Sequence, residues 1–265
     1  MENIYIIMIK FFRRIRQRLL TENPPKGQAG KFSKYLLYAI GEIVLVVIGI
    51  LIALSINNWN QNRIAQQEEN KWYAKMIGDL NIALENVKTE SERFKGYQVI
   101  HRHIYNETKG RATYDPEIKY QAIRWNPGYI PVISENHGSN VSRIINERVR
   151  DALNAYMKEE KAIIKAFGDF NRIKLEMVRP FVDKHGFMDS EIVFNEVQSN
   201  WKNVQDKAVN IINHDKLKAQ YDSEEFNQIL STLWIQSGYV IYRLEVQAEQ
   251  IDKLKRILEA ELSKS

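Results

Sequence analysis

Tyr35–Ile56 reads YLLYAIGEIVLVVIGILIALSI, with one charge, Glu42, in an otherwise almost wholly apolar run. About 20 such residues in an α-helix cross the ~30 Å hydrocarbon core of a bilayer. The stretch therefore predicts a transmembrane helix. What lies on either side predicts how the chain is oriented and built.

Before the span the chain is strongly basic. Residues 1–34 carry eight Lys/Arg against Glu2 and Glu22, a local charge of +6 within a whole-chain charge of +5. The 231 residues that follow are thus nearly neutral, at −1. A reader of nucleic acid would carry the excess on its folded domain, so DNA and RNA are not expected as partners. Beyond the span only Arg63 and Lys71 fall within the window that sets topology. The positive-inside rule then puts the N-terminus in the cytoplasm and translocates the rest.

A cleaved signal peptide fits poorly. The apolar run starts after 34 residues, exceeds the usual 7–15-residue core and ends in Leu-Ser-Ile-Asn-Asn-Trp without a small-x-small cleavage site. A retained signal anchor is expected, with Tyr35, Tyr38 and Trp59 at the interfaces. The arm before it places Met8, Phe11, Phe12, Ile15 and Leu19 at helical spacing, with Arg13, Arg14, Arg16 and Arg18 filling much of the rest. Such a helix lies among anionic headgroups, so membrane lipid is an expected partner. Its topological role alone would also account for the charge. Pro24-Pro25-Lys26-Gly27 ends it.

Within the span, Gly49 and Ala53 lie seven and eleven residues beyond Glu42. At 100° per residue they fall within about 20° of it. An intramembrane carboxyl usually faces protein or water, and small-x-x-x-small pairs let helices approach closely. The stripe predicts packing against another transmembrane helix, in a homo-oligomer or a partner. Hydration of Glu42 near the interface is the plainer reading.

The chain has no cysteine, which excludes disulfides, thiolate metal sites and thiol catalysis. From Asn57 to about Glu107 there is no proline, and Trp72, Met76, Leu80, Leu84 and Val87 recur every three or four residues, with Phe94, Ile100 and Ile104 extending the pattern. This predicts a long amphipathic helix. Residues 108–138 collect Gly110, Pro116, Pro127, Gly128, Pro131 and Gly138, predicting an irregular loop. Such loops often carry binding function, which makes Trp125 and Tyr129 candidate binding residues. Helix is expected again from Ser139 or Asn140 through Val149, Leu153 and Tyr156 to Phe170, then at about 170–184, 189–199 and 200–213.

The last helix has the sharpest pattern. Phe226, Leu230, Leu233, Val240, Leu244, Ile251, Leu254 and Leu258 follow a three-four register from Asp222 to Leu262, with Ser237 and Gln247 as polar positions in the seam. Such a heptad seam needs a long partner, and 57–107 is the one available. The expected architecture is all-α, with one transmembrane helix at 35–56 followed by an elongated antiparallel helical bundle over 57–265.

The block from Lys31 to Asn60, KFSKYLLYAIGEIVLVVIGILIALSINNWN, resembles the hallmark of a family of single-span membrane proteins found in Bacteroidetes, flavobacteria especially. The opening Met8-Ile-Lys-Phe-Phe-Arg-Arg-Ile-Arg is similar to that family too, so residues 1–7 are expected to be an upstream extension. The resemblance is specific over about 8–60 and loose beyond. It implies an inner-membrane protein of a diderm bacterium with a periplasmic helical domain. It implies no activity, and it marks only Gly41-Glu42.

No catalytic motif stands out. H-E-x-x-H, G-x-S-x-G, G-x-G-x-x-G and the P-loop are absent. His101 and His103 are two apart and point to different helix faces, a poor metal pair. Glu159-Glu160 and Glu224-Glu225 read as solvated faces. No enzyme, metal or cofactor is expected. The expected function is a membrane-anchored, non-enzymatic periplasmic protein acting through a partner or ligand. The alternative is a proton-coupled energy-transducing subunit that uses Glu42.

Overall fold

The computed structural model describes residues 28–195 and 211–264, together with Lys10, Arg14 and Gln17. The expected helix at 200–213 and the end of the one at 189–199 fall largely outside these residues. The chain divides into two units, 1–68 and 69–265. Among the described residues every regular element is helical, and extended pairing is confined to one isolated bridge between Met188 and Ile212.

The first helix, α1, runs Gln28–Thr108 and contributes to both units. It contains an 18-residue window long and apolar enough to cross a membrane, and among the described residues none of that window is buried. In the second unit its inward residues are Glu69, Tyr73, Met76, Leu80, Ala83, Val87, Ser91, Phe94, Tyr97, His101, Ile104 and Glu107. These steps of three and four form one continuous stripe. Trp72, Leu84 and Ile100, expected in that seam, are half-buried at its edge. The structure adds polar residues to the stripe, which an apolar pattern passes over.

Two further long helices pack on this stripe. One, α3, spans Glu147–Ile173; the other, α7, spans Glu224–Leu262. On α7 all ten expected seam residues are buried, Ser237 and Gln247 included. Contacts of α7 with α1 run in opposite directions along the two chains: Lys255 donates to Asn81 at 3.0 Å, Gln98 to the Trp234 carbonyl at 3.4 Å and Thr108 to Asn227 at 3.3 Å. Arg243 of α7 pairs with Glu159 of α3 at 2.8 Å. Phe94 of α1 meets Phe167 and Phe170 of α3 edge-on, with ring centroids 5.1 and 5.0 Å apart.

The irregular region between α1 and α3 is a return path, not a projecting loop. Its elements are a 3₁₀ turn at Tyr120–Ile123, the short helix α2 at Val132–His137, and a second 3₁₀ turn at Gly138–Arg143. Its partners on α1 step down from Glu107 to Asp79 to Glu69, through Tyr120, His137 and the amides of Ile145 and Asn146. Its partners on α3 and just beyond fall likewise, from Lys174 to Asn171 to Glu160. The proline-rich strip thus lies along the helices and brings the chain back to start α3 beside Glu69. Gly110, at φ 65°, makes the reversal at the end of α1, a left-handed position that suits glycine.

Helix α3 begins later than expected. Asn146 caps it, accepting from the Val149 amide at 3.3 Å, while Ser139 and Asn140 lie in the 3₁₀ turn. Ile145 and Ile164 are exposed, and Glu160 is fully buried where a solvated face was expected. Past α3, a π-turn at Lys174–Val178 leads into α4, Arg179–Lys184. Pro180 cannot donate to the carbonyl four residues back and its ring crowds it; a wider turn immediately upstream accommodates this. The short helices α5, Ser190–Asn195, and α6, His214–Lys218, precede α7. Ser223 caps α7, accepting from the Phe226 amide at 3.3 Å.

Candidate functional site

In the first unit, Glu42, Gly41 and Ala53 are exposed on α1, and Gly49 is half-buried. A Cβ added at Gly41 would meet nothing within 4 Å. The helix backbone places Glu42, Gly49 and Ala53 on one face by its periodicity, and Ile43, Val46, Ile50 and Leu54 are exposed around it. Trp59 is exposed as well, with the Arg63 guanidinium 5.5 Å from its ring centre. Arg14 is helical and exposed; Arg13, Arg16 and Arg18 lie outside the described residues.

In the second unit, the candidate binding residues Trp125 and Tyr129 turn inward. Both pack against the core, and Tyr129 lies 5.4 Å from the Phe167 ring, centroid to centroid. Burial and then the nearby Glu160 carboxylate push the Tyr129 phenol well up. Both side chains are half-buried.

The polar groups that the apolar pattern hides form a series of joints. At one end of the second unit, Glu107 of α1 is enclosed by three other segments. Tyr120 from the return path donates to Oε1 at 2.5 Å, and Tyr221, just before α7, donates to Oε2 at 2.6 Å. The Nε2 of His214 lies 2.8 Å from Oε2. His103, one turn back on α1, brings Nε2 to 3.0 Å from Oε1, an ion-pair distance without hydrogen-bond alignment. Tyr114 covers the group, 4.5 Å from the His214 ring and 5.5 Å from Tyr120. Burial acts to raise the Glu107 pKa, but hydrogen bonds from Tyr120, Tyr221 and His214 outweigh it, and the carboxyl lies below its usual range. Burial and the bond to Glu107 push both phenols up.

The middle of the unit holds two more joints. Glu160 accepts from the Ser134 amide at 2.9 Å, from the Ser134 hydroxyl, and from Tyr156 at 3.1 Å. His137 Nε2 meets Asp79 at 2.8 Å beneath the Trp72 ring. At the far end, one oxygen of Glu69 takes the Tyr73 hydroxyl at 2.5 Å and the amides of Ile145 and Asn146 at 3.1 and 3.2 Å.

Lys174 is a fifth buried polar group. Its Nζ donates to the Ala122 carbonyl at 2.8 Å and lies 4.9 and 5.3 Å from the rings of Phe170 and Tyr97. Burial and then the Arg179 charge drive its pKa well below the ordinary lysine range.

These groups stitch the irregular path to the helices. In the Glu107 and Glu160 joints the acceptor oxygens are occupied by phenol, hydroxyl, imidazole or amide donors. Neither oxygen of Glu107 is open to a further ligand. Among the described residues no group of three or more His, Cys, Asp or Glu side chains is arranged to hold a metal ion. Sequence reasoning missed these joints because it counted apolar residues. The available signal was the stripe itself, in which Glu69, His101 and Glu107 fall on the same three-four register as Met76 and Phe94.

No curated protein and no solved structure matches the chain. Residues 42–95, from Glu42 in the apolar run to the second unit's part of α1, match a sequence family described as a family of unknown function, DUF6090.

Proposed function

We propose that this is a membrane-anchored, non-enzymatic protein that acts by binding partners. In this reading 35–56 crosses the inner membrane, the basic arm stays in the cytoplasm, and 57–265 is a periplasmic antiparallel bundle. The Glu42, Gly49 and Ala53 face joins the span to a second copy or another membrane helix.

The observation that carries the reading is the contrast between two apolar surfaces of α1. In the second unit the apolar stripe is buried by α3, α7 and the return path. In the span most apolar side chains are exposed, and among the described residues none of the membrane-length window is buried. A bare apolar surface of that length needs lipid or another helix.

The test is crosslinking of the full chain in native membranes, with sizing in mild detergent. Wild type should run as an oligomer or a complex, and Glu42→Leu with Gly49→Leu should shift it toward the monomer. An unchanged distribution would remove the packing face from the account.

A further inference from the structure

A cavity of about 430 Å³ opens between α1 and α7, one turn along α1 from the Glu107 joint. That volume is within the ~300–1,000 Å³ of typical small-molecule sites. Its apolar walls are Leu230, Trp234 and Ile235, and its polar groups come from His101, Arg102, Tyr105 and Ser231. No lining residue is acidic.

One of these groups, His101, lacks the partners its chemistry demands, and a second, Arg102, carries a charge that no ion pair neutralises among the described residues. His101 is 1% exposed, yet neither ring nitrogen has a hydrogen-bond partner. A buried polar group left unpaired is destabilising, so a ligand that supplies the missing partner gains from it. Burial and then the charge on Lys174 push its pKa down to about 3. At neutral pH the ring is therefore uncharged and offers one N–H donor and one acceptor. Arg102 is exposed, its guanidinium 4.6 Å from the centre of the Trp234 ring. Among the described residues no carboxylate pairs with it. The stacking leaves its N–H edge available, and guanidinium is the cation best matched to a carboxylate. Lys109 adds a second positive charge near the rim, 5.5 Å from the Tyr105 ring.

We infer that this cavity binds a small organic carboxylate with a flat apolar body and a polar substituent at its far end. The carboxylate pairs with Arg102, the body lies against Trp234, Leu230 and Ile235, and the substituent satisfies His101. The assignment goes beyond the membrane reading and does not depend on whether the span associates.

The experiment uses the full chain in nanodiscs with two probes, phenylacetate and 4-hydroxyphenylacetate, titrated by calorimetry. Both should bind saturably, the hydroxylated probe more tightly by at least threefold. Arg102→Gln should weaken both by about tenfold or more. His101→Leu, which removes no existing hydrogen bond, should abolish the preference for the hydroxylated probe and leave phenylacetate binding nearly unchanged. Thermal melts of each variant establish that it is folded. Absence of saturable binding to wild type would overturn the proposal, as would folded variants that bind both probes like wild type. Neither result bears on the crosslinking test of the span.

Discussion

Glu107 takes the hydroxyl of Tyr221, 114 residues further along the chain, at 2.6 Å. That bond, with those from Tyr120 and His214, ties the end of α1 to the return path and to the segment that starts α7. Removing the carboxylate strands the buried Tyr120 hydroxyl and leaves the half-buried Tyr221 hydroxyl and His214 ring without their shared partner. Glu107→Ala is expected to cost about 3–5 kcal/mol, as for a broken buried charge network, measured by urea unfolding.

The same joint sets an acid limit. The folded pKa of Glu107 lies below its ordinary value of 4.5. Its stabilisation is therefore complete above about pH 4.5 and is lost as pH falls through the folded value. The stability gap between wild type and Glu107→Gln should be constant near neutrality and shrink below pH 4.5 in thermal melts. A gap independent of pH down to 3 would contradict the assignment.

Lys174 acts with the opposite consequence for design. Its folded pKa is depressed from 10.5, so the folded state loses stability as pH falls from 10.5 toward that depressed value. Lys174→Met keeps the volume and removes the buried charge, while the Ala122 carbonyl retains the Trp125 amide at 3.3 Å. The variant should be at least as stable as wild type at pH 7, with an advantage over wild type that narrows toward pH 10. Replacing buried charges by apolar groups is often neutral or stabilising.

Glu69 and Asn146 govern where α3 starts. Asn146→Ala removes the cap and should cost about 1 kcal/mol. Glu69→Ala should cost about 1–3 kcal/mol, because the Ile145 and Asn146 amides and the Tyr73 hydroxyl lose their acceptor. Faster hydrogen exchange confined to the start of α3 would identify the mechanism.

The α7 seam, Phe226 to Leu258, was legible in full because a heptad needs only local spacing. The long apolar helix over 35–56 is legible for the same reason. The return path was not. Pro127 and Pro131 announce an irregular segment, but its course depends on Asn171, Glu160 and Asp79, which are remote in sequence. Trp125 and Tyr129 were expected to face a ligand because loops often do; here the loop fills the space beside α1 and α3, and its aromatics pack inward. Glu160 is buried where a charged pair on a helix is usually solvated; Tyr156 one turn back is a local partner, but nothing local reveals that Ser134, 26 residues away, converges on it.

Glu42→Gln separates helix association from proton transfer. Glutamine still hydrogen-bonds across a helix pair, a contact worth about 0.6–2 kcal/mol. If the residue serves packing, Glu42→Gln should retain crosslinking and Glu42→Leu should reduce it.

The central claim is that the apolar run spans a membrane with the second unit outside the cytoplasm. The chain has no cysteine, so single introduced thiols report cleanly. Lys10→Cys and Glu249→Cys, both at exposed positions, are to be treated in intact cells with a membrane-impermeant maleimide. The account predicts a protein that resists alkaline extraction, with the thiol at 249 labelled once the outer membrane is permeabilised and the thiol at 10 labelled only after the inner membrane is broken. Release into the soluble fraction, or labelling at 10 before 249, would contradict it.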